Sequence, residues 1–319
     1  MRRRDFVHHS VAMSGLIIGT GLISLELAGC GSSSTGGSTT PLGMLPTTSH
    51  DPSPTTRRTL IGACASSRDG RSALGEFEHL EQKLGDILDM RRSYDGRLPG
   101  SFATSAAACD VGKRTSVWSL KAPPDQVHSG TLDSQLKALF HSVPVEHRDH
   151  LFVCYFHEPE NDSFSPASFA AASRRVYDIA TTYKNDRGRI RAGIILMEPT
   201  FHHHKGRDPQ LYWPGDGHCD FVGVDVYPQG NFEPVSQRLQ LTTAWCQDKK
   251  VPIGIAELGV RSEDPPSKGA AWIRSFITWA QTNKPLFLSY FHSYVGGDFW
   301  LDAHPDVLQA YRDLYDALK

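Results

Sequence analysis

From residue 59 onward, short runs of β-branched and aromatic residues alternate with stretches of helical periodicity, and this alternation constrains the fold more than any other feature. The strand-like runs are TLIGACASS, GDILDMRRSY, TSVWSLKAP, LFVCYFHEP, IRAGIILMEP, DFVGVDVYP, PIGIAELGV and LFLSYFHSY. Between most of them lie GEFEHLEQKLG, LDSQLKALFHSV, PASFAAASRRVYDIATTYKN, SQRLQLTTAWCQDKK and KGAAWIRSFITWAQTN, and HPDVLQAYRDLYDALK closes the chain. Asp133 and Ser267 stand where helix N-caps are expected. Strand and helix alternating eight times over roughly 250 residues predicts an α/β fold, the (β/α)8 TIM barrel. A doubly wound sheet would need a glycine-rich phosphate loop after the first strand, and GACASSRDG lacks that pattern.

The chain has 319 residues, 39% of them hydrophobic, and a net charge of only -2. That is enough apolar content for one large core, and the charge gives no bias toward nucleic acid. The amino terminus has its own pattern: a basic start, an apolar stretch of signal-peptide length, then small residues before a cysteine. Arg3-Arg4-Asp5-Phe6-Val7 resembles a twin-arginine export motif, and Leu27-Ala28-Gly29-Cys30 resembles the lipobox of bacterial lipoproteins. Residues 1–30 are therefore expected to be a signal, with Cys30 lipidated. Residues 31–58, rich in Gly, Ser, Thr and Pro, should form a flexible tether, and residues 59–319 the barrel. The protein would sit on the outer face of the bacterial membrane or in the periplasm, as a monomer. Five cysteines remain in the barrel, Cys64, Cys109, Cys154, Cys219 and Cys246, at spacings that suit neither a disulfide framework nor a zinc site. A Cys219–Cys246 pair stays open.

Barrel active sites lie at the carboxyl ends of the strands. Those ends carry Glu158 and Glu160 on strand four, Glu198 on strand five, Asp225 and Tyr227 on strand six, Glu257 on strand seven, and Tyr290 and His292 on strand eight. Alternation places Ile253, Ile255 and Glu257 on one face, and Asp225 and Tyr227 on one face. Glu257 thus reads as a carboxylate continuing an inward apolar row. Two carboxylates at opposed strand ends suit glycoside hydrolysis, in which one protonates the leaving oxygen and the other attacks the anomeric carbon. Tyr212, Trp213, Tyr290, Phe299 and Trp300 are rim aromatics suited to stacking on sugar faces.

The motifs YFHEPEND, LYWPGDGHCDFVGVDVYP, IGIAELGV and YFHSYVGGDFW, in that order across residues 59–319, resemble those of glycoside hydrolase family 26. The resemblance implies a retaining endo-glycosidase of the mannanase type that cuts β-linked polysaccharide, β-mannan first, with xylan and mixed-linkage glucan as alternatives. It assigns Glu158, after His157, as acid/base and Glu257 as nucleophile. It also implies that Tyr227 hydrogen-bonds the nucleophile and that Trp300 is a sugar platform. His157, Asp225, Tyr227, Trp300 and His292 form the expected substrate-binding set. After the acid/base, PENDSFSP replaces the glycine and tryptophan cluster of the best-known mannanases.

No cofactor and no metal is expected. His202-His203-His204 are adjacent residues that cannot all aim at one ion from a short segment. Glu160 is a rival acid/base, a brace for the loop or a ligand of sugar hydroxyls, and Glu198 a third candidate or a hydrogen-bonding neighbour. A Ser-His-Asp hydrolase lacks its GxSxG elbow. The competing function is a non-catalytic, carbohydrate-binding barrel on the cell surface, which retention of both glutamates disfavours.

Overall fold

The computed structural model describes residues 58–319. The signal, Cys30 and the tether up to residue 57 lie outside the described residues. Arg58 is already fixed, with its Nη2 2.7 Å from both carboxylate oxygens of Asp89.

Eight strands run β1 (Leu60–Ala65), β2 (Met90–Asp95), β3 (Thr115–Leu120), β4 (Leu151–Tyr155), β5 (Arg191–Met197), β6 (Val222–Val226), β7 (Ile253–Leu258) and β8 (Phe287–His292). The helices are α1 (Ala73–Leu84), α2 (Pro124–His128), α3 (Asp133–His141), α4 (Pro166–Ala180), α5 (Glu198–Phe201), α6 (Val235–Arg238), α7 (Gln240–Asp248), α8 (Pro266–Asn283) and α9 (Pro305–Leu318). Every neighbouring strand pair is parallel, and β1 pairs with both β2 and β8, so the sheet closes into the expected barrel. Only 3-10 turns, Phe102–Thr104 and Ala106–Asp110, connect β2 to β3. Among the described residues no helix is long and apolar enough to cross a membrane.

Two expected helix caps are corrected. α8 starts at Pro266 with Pro265 before it, so Ser267 is already inside the helix; a proline's fixed φ and missing N–H suit the first helical turn. Asp133 is the first residue of α3, and its carboxylate is taken by Arg175 on α4 at 2.5 and 2.7 Å. Cys219 and Cys246 are unbridged.

The barrel interior is filled in layers from alternate strands, as barrels of this size require. Met90, Phe152, Phe221 and Phe287 come from β2, β4, the entry to β6 and β8. Their three phenylalanines meet edge to face at 5.4 to 5.7 Å. Space for these rings comes from glycines: a Cβ on Gly254 would lie 2.5 Å from the Phe287 ring, and one on Gly193 2.2 Å from the Phe221 carbonyl oxygen. Two residues further along the same strands, alternation brings Arg92, Cys154, Gly223 and Ser289 inward, and the next step brings Tyr94, Asp225 and Phe291 to the carboxyl-terminal mouth. The layers thus change from apolar to polar toward that mouth.

Strand β7 departs from simple alternation, which corrects the expected facing of Ile253 and Ile255. Both pack toward the helices, in the outer core, whereas Ala256 belongs to the interior cluster. Against β6, Ile255 pairs with Val224 and Glu257 with Asp225, leaving Ala256 as an extra residue. Against β8, the three steps from Ile255 to Leu258 face the two from Leu288 to Tyr290. A β-bulge therefore turns Ala256 and Glu257 inward in succession. Glu257 reaches the mouth because the strand is irregular.

Candidate active site

The site lies where β2, β4, β6 and β7 end. Strand β4 stops at Tyr155, before the Glu158 expected at its end, and the chain then passes through Phe156 at φ 54° and Glu158 at φ 49°. Left-handed backbone at two residues with side chains is strained, and such strain persists only where neighbours enforce it. Here the Phe156 N–H donates to the Leu120 carbonyl at 2.9 Å and the Glu158 N–H to the Ile195 carbonyl at 3.0 Å. These bonds anchor the exit of β4 to β3 and β5, and Pro159 opens a 3-10 turn, Pro159–Asn161.

Glu158, Asp225 and Glu257 each place a carboxylate oxygen within 4.8 Å of the others. Glu257 is 5% exposed and is held by two phenols: Tyr94 donates to its Oε1 and Tyr227 to its Oε2, both at 2.7 Å. Beneath them lies Arg92, 1% exposed, with its guanidinium 4.2 Å from the centre of the Tyr94 ring. Burial raises the Glu257 carboxyl above the ordinary value, and Arg92, Tyr94 and Tyr227 pull it back toward the ionised form. Glu158 has no comparable support. Burial, then the charges of Glu257 and Glu160, push it up to about 8, opposed only by Asn161 and Lys121. Neighbouring carboxyls with environments this different can divide the roles of acid and base.

Asp225 is 1% exposed, and neither of its oxygens has a hydrogen-bond partner among the described residues. Burial and the charges of Glu257 and Glu158 hold it well above the carboxylate range. The spacing of the three acids would by itself suit a divalent cation. The buried Arg92 guanidinium beside them supplies positive charge to the same cluster. His157 lies 5.1 Å from the Tyr94 ring, and burial, then Arg92 and Lys121, keep it neutral, well below the usual histidine value.

Strand eight requires a correction. Phe287 and Phe291 face the interior, so Tyr290 and His292 point outward beneath the helices. His292 is 0% exposed; its Nε2 faces Glu76 Oε1 at 3.1 Å and its Nδ1 accepts the Leu301 N–H at 3.0 Å. With both nitrogens engaged it cannot contact substrate, and it instead fixes the backbone just after Trp300. Trp300 is partly exposed, with the Arg68 guanidinium 4.4 Å from its ring centre and Tyr294 beside it at 6.3 Å. Tyr212, Trp213, Tyr290 and Phe299 are buried, whereas Trp300, the 54% exposed Tyr294 and the half-buried Phe291 are accessible aromatics near the end of β8.

Glu160 Oε1 accepts from the Met197 N–H and the Thr200 hydroxyl, both at 2.7 Å, so its carboxylate braces the turn against β5. Glu198 is buried outside the barrel, 3.0 Å from Arg238 and 2.9 Å from His202. Sequence reasoning missed Arg92 and Tyr94. The signal was available in MRRSYD, where alternation puts Met90, Arg92 and Tyr94 on one face and an arginine inside a strand is rarely buried without a partner.

No protein-family model matches the chain, and no curated protein does. Solved structures match in fold. The Bacillus subtilis mannanase BCman aligns over 81% of this chain and 85% of its own, with a TM-score of 0.53 and 13% identity. A modular endo-beta-1,4-mannanase from Cellulomonas fimi, of glycoside hydrolase family 26, aligns over 81% and 70%, at 0.54 and 11%. Thermotoga maritima Cel5A, solved with cellobiose, aligns over 80% and 97%, at 0.54 and 12%. At such identities the likeness is one of architecture: this chain shares with these enzymes the closed eight-stranded parallel barrel.

Proposed function

We propose that this protein is a retaining glycoside hydrolase of β-linked polysaccharide, with Glu257 as nucleophile, Glu158 as acid/base and β-mannan as its substrate. The observation that carries the reading is the Glu158 and Glu257 pair, with carboxylate oxygens within 4.8 Å at one barrel mouth and more groups favouring the charged form at Glu257 than at Glu158. Retaining enzymes keep their carboxyls about 5 to 5.5 Å apart, whereas inverting enzymes separate them by about 6.5 to 9.5 Å to admit a water. Mannanases among the fold neighbours add weight to the substrate.

In the first step a Glu257 oxygen bonds to the anomeric carbon as the glycosidic bond breaks, and the Glu158 proton passes to the departing oxygen. Ionised Glu158 then takes a proton from water, whose oxygen attacks the same carbon and frees Glu257. Arg92 and the two phenols serve the ionised nucleophile at both ends of this cycle. Residues 1–30 add the reading of an exported protein anchored to the membrane through a lipid on Cys30.

The test is incubation of the purified full-length chain with β-mannan, xylan and mixed-linkage glucan, counting new reducing ends. Release from β-mannan supports the reading. Release from another of the three moves the substrate, and release from none refutes the enzyme and favours a binding barrel.

A further inference from the structure

The segment after the acid/base, PENDSFSP, is where the sequence leaves the pattern of the best-known mannanases. It holds a contact that the mechanism above does not use. Asn161 Nδ2 lies 3.0 Å from Glu158 Oε2 and 3.3 Å from Met197 Sδ. On its other side, Arg207 Nη2 donates to Asn161 Oδ1 at 3.0 Å and to the Glu160 carbonyl at 3.3 Å, and Arg207 Nη1 reaches Met197 Sδ at 3.4 Å.

The chemistry of the partners fixes the amide's orientation. A guanidinium has only donors, so it must meet the amide oxygen, and the NH2 group is thereby turned toward Glu158. We propose that Asn161, oriented by Arg207, is a positioning residue that marks one oxygen of Glu158 as the acceptor and leaves the proton on the other. The inference rests on the reading of Glu158 as the acid/base. Oε2 accepts the amide N–H, so it is the poorer site for a proton, and Oε1 carries the one delivered to the departing glycosidic oxygen. After transfer the Asn161 bond becomes charge-assisted and strengthens, which favours the ionised form needed to activate water. The other groups acting on Glu158 are Glu257 from β7, Asp225 from β6, Tyr227 just beyond it, Glu160 on the same turn and Lys121 after β3. Among these only Lys121 and Asn161 favour its charged form.

The experiment compares wild type with Asn161→Leu, Arg207→Met and Arg207→Lys. Loss of the amide should raise the basic limb of the kcat/KM profile by about half to one pH unit, because the carboxylate loses a donor. Turnover of oligosaccharide should fall about tenfold, while an aryl glycoside with an activated leaving group should lose little, since it needs less protonation. Arg207→Met should move the limb the same way by less, and Arg207→Lys should restore part of it. A limb that stays in place, with both substrates slowed equally, overturns the proposal and leaves Asn161 a structural residue. The carboxyl-carbon NMR titration of Glu158, assigned by its absence in Glu158→Gln, reads the same shift without turnover. An upward shift in Asn161→Leu with no glycosidase activity in wild type would reject the enzymatic reading alone; an unmoved titration rejects the role of Asn161 alone.

Discussion

Tyr94 and Tyr227 divide Glu257 between them, one phenol on each carboxylate oxygen at 2.7 Å. They come from β2 and the end of β6, and β2 lies opposite β6 in the barrel. Hydrogen bonds to a charged group are worth about 1.5 to 3 kcal/mol. Tyr227→Phe keeps the ring and removes only the hydroxyl, so kcat should fall roughly ten- to a hundredfold with thermal stability nearly unchanged. The acidic limb of the pH profile should move up, because Glu257 loses a donor to its ionised form. Tyr94→Phe should behave alike. Steady-state kinetics and thermal melts on both variants check this; lost stability with kcat unmoved would make the phenols structural.

The raised Glu158 carboxyl gives a second prediction, with a definite sign. Its value of about 8 in the folded protein lies above the ordinary 4.5, so between these the native state holds a proton that the unfolded chain has lost. Stability therefore falls as pH rises through that window. Glu158→Gln carries no such proton, and its melting temperature should rise relative to wild type between about pH 5 and pH 8. The gap should be several degrees, at about 3 °C per kcal/mol for a domain of this size. In wild type the basic limb of kcat/KM should fall near pH 8.

The barrel interior has no room at Gly193. An added Cβ would meet a backbone carbonyl at 2.2 Å, and backbone in a closed sheet cannot yield as a flexible side chain can. Gly193→Ala should cost about 3 kcal/mol or more, measured by urea unfolding.

For the amino terminus, replacing Arg3 and Arg4 by Lys should leave precursor in the cytosol, and Cys30→Ser should release the protein from the membrane fraction. Mass spectrometry of the mature amino terminus checks the lipid directly. An unmodified terminus elsewhere would refute the anchor.

The barrel was legible because eight buried parallel strands must each be apolar and must alternate with covering helices. The position of Glu158 and Glu257 at the barrel mouth was legible because acids at strand ends are conspicuous. The reason given for Glu257 was mistaken, however: a bulge at Ala256 turns it inward, and period-two reasoning cannot detect one extra residue. The same alternation, applied to β8, should have sent His292 and Tyr290 outward. Arg92 was hidden by the assumption that sites lie only at strand ends, since it works from within the barrel, whereas Tyr94 closes the run GDILDMRRSY and stood in plain view. Asn161 and Arg207 meet across two loops 46 residues apart in sequence, and no local pattern marks such a contact.

The anomeric configuration of the first-formed product tests the Glu158 and Glu257 pairing most directly. Proton NMR during hydrolysis of a β-linked oligosaccharide, before mutarotation, distinguishes the outcomes. Carboxylate oxygens within 4.8 Å match the short separation of retaining enzymes, so the β-anomer should appear first. First appearance of the α-anomer would mean inversion, and would contradict Glu257 as the nucleophile.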